Sequence, residues 1–155
     1  MVKDAGEKIG LFNSRLDMLF ENVAKWLDEV GIKWKVYERT NHENQSGPYD
    51  TKELRIFDAD NQEMARLEPY GIWLIGASGR VDLVSVMGRE MFVYLKPNGA
   101  KLERTISDGK GIIDKTEWPL TEETVEGWYW IDNPQRRKHP PLDKDLFIDL
   151  LENAK

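Results

Sequence analysis

Met91-Phe92-Val93-Tyr94-Leu95 is apolar at every position, as is Ile72-Trp73-Leu74-Ile75. Successive side chains of a strand point to opposite faces, so a strand of this kind must be covered on both sides. Turn chemistry bounds the two runs: Pro69 and Gly71 precede the first, and Gly76-Ala77-Ser78-Gly79 follows it. Gly88-Arg89 precedes the second, and Lys96-Pro97-Asn98-Gly99 closes it. Segments this short between such breakers read as strands of a sheet and not as helices.

Outward from this centre the other segments alternate. Ile32, Trp34 and Val36 interleave with lysines, which is the pattern of a half-buried strand over residues 32–39. A polar stretch, Thr40-Asn-His-Glu-Asn-Gln-Ser-Gly-Pro-Tyr-Asp50, reads as a loop. Strands follow over 54–57 and 63–68, joined at Asp58-Ala59-Asp60-Asn61, then over 80–87 and 128–131, with a weaker one over 101–106 and a loop over 107–117.

Helices bracket this run. Leu16, Leu19, Phe20, Val23, Trp26, Leu27 and Val30 recur at three- and four-residue steps, which predicts a helix over 14–30 with Gly31 as its stop. Residues 1–12 stand outside that helix as a disordered lead-in. Leu142, Leu146, Phe147, Leu150 and Leu151 predict a second helix from about Asp143, after Pro140-Pro141. The expected fold is α+β: a mostly antiparallel meander of about six or seven strands with an N-terminal and a C-terminal helix packed on it. Residues 1–155 are read as a single domain. One helix layer cannot cover both faces of strands 72–75 and 91–95. The helices therefore take opposite faces, or the sheet curls on itself, or a partner, such as a second copy in a homodimer, covers the remainder.

Composition narrows the chemistry. The 155 residues contain no cysteine and two histidines and carry a net charge of -6. That excludes a disulfide framework, a cysteine nucleophile and thiolate zinc. Charges at Lys3, Asp4, Glu7 and Lys8 occupy the place of a signal peptide's apolar stretch, and no run approaches membrane-spanning length, so a cytoplasmic protein off the membrane is expected. Residues 41–76 carry three basic against seven acidic side chains, and residues 118–155 five against eight. An acidic surface of this kind meets a basic protein more readily than nucleic acid, and the short Arg136-Arg137-Lys138-His139 run reads as a solvated loop.

No catalytic or metal motif emerges, and no cofactor is expected. Asp58 to Glu63 begins like a calcium loop but has Glu63 where glycine is needed and Pro69 in place of the closing glutamate. Gly76-Ala77-Ser78-Gly79 and Gly109-Lys110-Gly111 lack the surroundings of a nucleophile elbow or a phosphate loop and read as turns. His42 and His139 lie in polar segments without an aspartate partner motif.

Two groups stand out as binding candidates. Arg80 and Asp82 share one face of their strand. They read as an ion pair tying the strand end or as an arginine held by Asp82 toward an anionic ligand or partner carboxylate, with Glu68 or Glu90 in the same cleft. Trp128 and Trp130 point one way and Tyr129 the other, as core or as anchors for a partner, close to the acidic Glu122, Glu123 and Glu126. In size and order of elements the chain resembles small bacterial immunity proteins and secretion chaperones. The expected function is thus a non-enzymatic protein-interaction domain of the inhibitor, immunity or chaperone type that binds a basic protein. The alternative is a small-molecule-binding domain or small enzyme built on Arg80 and Asp82.

Overall fold

The apolar periodicity of the first helix continues above Leu16, because Phe12 is one further turn along the same stripe. In the computed structural model, which describes residues 2–44, 46–72, 79–96, 125–131 and 140–154, helix α1 accordingly runs Val2–Glu29 and takes in the lead-in expected to be disordered. Phe12, Leu16, Leu19, Phe20, Val23 and Leu27 are all buried. Gly31 ends the helix with φ 75°, and the Ile32 amide reaches back to the Leu27 carbonyl at 2.9 Å. This left-handed closure favours glycine.

Six strands follow as one antiparallel sheet in sequential order: β1 (Lys33–Glu43), β2 (Gly47–Phe57), β3 (Glu63–Gly71), β4 (Arg80–Ser85), β5 (Gly88–Leu95) and β6 (Gly127–Ile131). Helix α2 (Lys144–Glu152) closes the fold, with the Asp143 side chain accepting the Leu146 amide as its cap. The architecture is the α+β meander that the sequence predicts. The segments at 101–106 and 107–117, the Gly109-Lys110-Gly111 turn and the 136–139 basic run lie outside the described residues, as do positions 73–78.

Both helices pack on one face of the sheet. Their buried side chains form a single core with Leu54, Ile56, Leu67, Val81, Leu83 and Phe92. On the opposite face, Val93, Leu95 and Ile131 are buried as a second cluster, with Met91 and Tyr129 packed against it. The all-apolar strand thus feeds two cores: Phe92 points to the helices and its neighbours Met91 and Val93 point away.

The polar stretch at 40–50 is strand for most of its length. β1 and β2 pair without interruption from Lys33↔Phe57 to Glu43↔Gly47. β2 pairs with β3 only from Leu54 onward, so the outer half of the β1–β2 hairpin leaves the sheet as an arm. Its polar side chains then replace the missing ladder. Asn41 Nδ2 donates to the Pro69 carbonyl at 2.8 Å, and Glu43 Oε1 accepts the Ile72 amide at 3.1 Å. This explains why β3 runs through Pro69, where the sequence suggests a break. The absent proline N–H would face the side from which β2 has departed, so no ladder bond is lost. Between Phe57 and Glu63, Asp58 Oδ1 accepts the Asp60 and Gln62 amides, which makes the calcium-loop look-alike a hairpin turn.

Candidate functional site

Strand parity decides what the sheet shows on the face away from the helices. With Leu54, Leu67, Leu83 and Phe92 turned inward, the neighbouring positions must turn outward. Arg39 of β1, Glu53 and Arg55 of β2, Glu63, Arg66 and Glu68 of β3, Arg80 and Asp82 of β4, and Arg89 of β5 form one continuous layer of ion pairs across five strands. Direct cross-strand neighbours are like-charged: Arg55 lies opposite Arg66, and Glu68 opposite Asp82. Such pairs repel. Attraction comes from diagonal and same-strand contacts, so the layer is held as a network and not as separate rungs.

Two carboxylates anchor it. Asp82 is 0 % exposed and accepts Arg80 Nε at 2.8 Å, Arg80 Nη2 at 3.0 Å and Arg89 Nη1 at 3.1 Å. Glu53 is buried and lies against Arg39 Nη1 at 3.1 Å, Arg55 Nε, and Arg66 Nη1 at 3.6 Å. The Arg66 guanidinium holds its proton above the ordinary range, foremost through its hydrogen bond to Glu63. Arg80 also lies over the Tyr70 ring, 3.8 Å from its centre. Arg80 and Asp82 are thus brought together as the sequence suggested. Glu68 joins the same layer, whereas Glu90 projects to the helix side and accepts the Trp130 indole N–H at 3.0 Å.

Where the hairpin arm leaves the sheet, a pocket of about 370 Å³ opens. Residues 39–42 of β1 form one wall, Glu68, Pro69 and Tyr70 form the other, and Arg89 closes the end. This pocket is not legible in the sequence, because its first wall comes from a segment that reads as a loop.

A larger groove, of about 760 Å³, lies on the other side of β1. Its apolar floor is Phe20, Ala24, Trp34 and Val36, and its rim carries Asp17, Glu21, Asp28 and Glu29 against Lys25 and Lys52. Asp28 takes the Trp34 indole N–H at 2.8 Å, which fixes the ring along the groove. Asp17 pairs with Lys52 at 3.5 Å and Glu29 with Lys144 at 2.9 Å, both at the surface, while Glu21 has no partner among the described residues. β1 is the first strand of the sheet, so no described strand pairs with its outer edge. At the far side, β6 is bridged by Pro141 and bonded to Pro140 and Leu142. Lys33 and Lys35 on the β1 edge discourage two such edges from pairing.

Trp128 and Trp130 are half-buried against the main core. The Trp128 indole N–H donates to the Arg15 carbonyl at 3.1 Å, and its ring meets Tyr94 edge-on at 5.4 Å between centres. Arg15, which the sequence reading passed over within the α1 stripe, is buried with its guanidinium 4.3 Å over the Tyr94 ring. Burial, and next the hydrogen bond to Glu126 at 2.6 Å, push the Tyr94 hydroxyl up to about 12. Burial and the bond to Glu43 raise Tyr49 as well. The folded protein therefore holds these phenolic protons more tightly than the unfolded chain, whose tyrosines ionise at about 10. The Tyr94 contribution is complete below about pH 10 and is lost as pH rises through about 12. Urea unfolding between pH 9 and 11.5 is expected to show falling stability, with a shallower fall in Tyr94→Phe. An identical slope in the variant would remove Tyr94 as a cause.

Among the described residues, no group of three His, Asp or Glu side chains could hold a metal, and no helix is long and apolar enough to cross a membrane. Comparison with protein-family models, curated protein sequences and solved structures gives no match.

Proposed function

We propose that the protein is a non-enzymatic protein-interaction module, of the kind that inhibitors, immunity proteins and secretion chaperones represent, and that it holds a basic segment of a partner protein. The observation that carries this reading is the groove between α1 and β1. An apolar floor with a fixed tryptophan, framed by four carboxylates against two lysines, is complementary to an amphipathic segment with lysines or arginines along its sides. Tryptophan at the centre of such a groove is the usual energetic anchor. The lack of cysteine suits work in the cytoplasm, where a newly made basic partner would be met.

A labelled 14-residue helix of alternating leucine and lysine pairs serves as the probe. It is expected to quench or shift Trp34 fluorescence and to perturb amide resonances of residues 17–36. Ala24→Trp fills the floor without altering charge, and Trp34→Ala removes the anchor. Each is expected to weaken the peptide roughly thirtyfold, the effect of losing a contact worth about 2 kcal/mol. Binding that persists in Ala24→Trp would mean that the peptide only senses net charge, and the proposal would fall.

A further inference from the structure

The pocket in the crook of the hairpin arm uses none of the residues of the α1–β1 groove and has a different chemistry. We infer that it is a binding site for a small phosphomonoester, held between Arg39 and Arg89.

Buried acceptors fix both guanidiniums. Arg39 directs Nε to Asn41 Oδ1 at 2.9 Å and Nη1 to Glu53 at 3.1 Å. Arg89 directs Nη1 to Asp82 at 3.1 Å. Asn41, Glu53 and Asp82 are all buried, so each arginine is anchored from behind. Arg39 Nη2, and Arg89 Nε and Nη2, have no hydrogen-bond acceptor among the described residues. An arginine immobilised by a buried acceptor, with a free edge in front, loses little side-chain freedom on meeting an oxyanion.

Glu68 stands between the two. It lies 4.0 Å from Arg39, 3.7 Å from Arg89 and 3.7 Å from Arg66. All three separations are beyond hydrogen-bonding distance. It offsets their charge without occupying their donors. The layer as a whole carries five guanidiniums, Arg39, Arg55, Arg66, Arg80 and Arg89, against four carboxylates, Glu53, Glu63, Glu68 and Asp82.

The remaining lining selects the ligand. His42 and Tyr70 also line the pocket, and neither side chain has a hydrogen-bond partner among the described residues, so both can add donors to those of the arginines. Donors converging from several sides suit a tetrahedral oxyanion better than a planar carboxylate. The exposed Tyr70 ring, backed by Arg80, offers an aromatic surface beside the anion for the organic part of a monoester. A volume of about 370 Å³ is that of a small-molecule site.

The test is isothermal titration at low salt with phenyl phosphate, inorganic phosphate and benzoate. Phenyl phosphate is expected to bind most tightly, inorganic phosphate more weakly because it lacks the ring, and benzoate weakest. Arg89→Gln is expected to weaken phenyl phosphate at least tenfold through loss of a charge-assisted donor. Glu68→Gln removes only the opposing charge and is expected to tighten it several-fold. That second variant decides the matter even if Arg89→Gln does not fold. No binding by the wild-type protein, benzoate equal to phenyl phosphate, undiminished binding in folded Arg89→Gln, or weaker binding in Glu68→Gln would each overturn the inference. The Leu/Lys peptide and phenyl phosphate are expected to bind independently, since they occupy opposite sides of β1.

Discussion

Replacing Asp82 with alanine is expected to lower the stability of the fold by about 4 kcal/mol, the range found when one partner of a buried ion pair is removed. The carboxylate is wholly buried and takes three guanidinium N–H groups. Without it, Arg80 and Arg89 are left close together, and of these two Glu68 approaches only Arg89. Like-charged residues already face one another across the strands of this layer, so no neighbouring rung can take over. Urea denaturation at neutral pH measures the loss as a shift in midpoint at unchanged slope. Asp82→Asn, which keeps shape but not charge, is expected to fall between the two. Arg80→Ala is expected to cost less, because Arg89 still faces the carboxylate. A loss below about 1 kcal/mol in Asp82→Ala would show that the ion-pair layer does not support the sheet.

The second large effect is expected at Phe147, where alanine should cost about 4 kcal/mol. Its ring is 0 % exposed and lies 5.9 Å from Trp26 and 6.3 Å from Phe92 between centres, joining α2 to α1 and to the sheet at once. A helix of nine residues has little stability of its own. Loss of this contact is therefore expected to free α2 before the sheet unfolds. Hydrogen exchange checks this: amides of residues 147–152 should lose protection in Phe147→Ala while those of β2 and β3 retain it. Equal loss in both would mean that α2 and the sheet unfold as one unit.

Much of this architecture was legible in the residues. The stripe from Leu16 to Val30 predicted α1, the stripe from Leu142 to Leu151 after Pro140-Pro141 predicted α2, and alternation predicted most strands. Each signal is local, because a side chain's face follows from its position in the helix or strand repeat. The β1–β2 arm was not legible. Its buried positions, Asn41, Tyr49 and Thr51, are polar or amphipathic, and they are buried because distant groups satisfy them: the Pro69 carbonyl for Asn41, Glu43 for Tyr49 and Asn13 for Thr51. Hydropathy alone reads such a segment as solvated loop.

The same distinction governs the candidate sites. That Arg80 and Asp82 share a strand face follows from their spacing, and the chain dictates as much by itself. That Arg89 approaches the same carboxylate, and that Arg39 reaches Glu53 beside a pocket, depends on register across five strands. The run at 91–95 required cover on both faces. Only packing determined that both helices take the Phe92 side, while Val93 and Leu95 join Ile131 on the other. Periodicity is a property of consecutive residues and is therefore written in the sequence. Which faces meet, and which charges neutralise one another, are set by contacts between segments far apart in the chain, and these exist only once the sheet has formed.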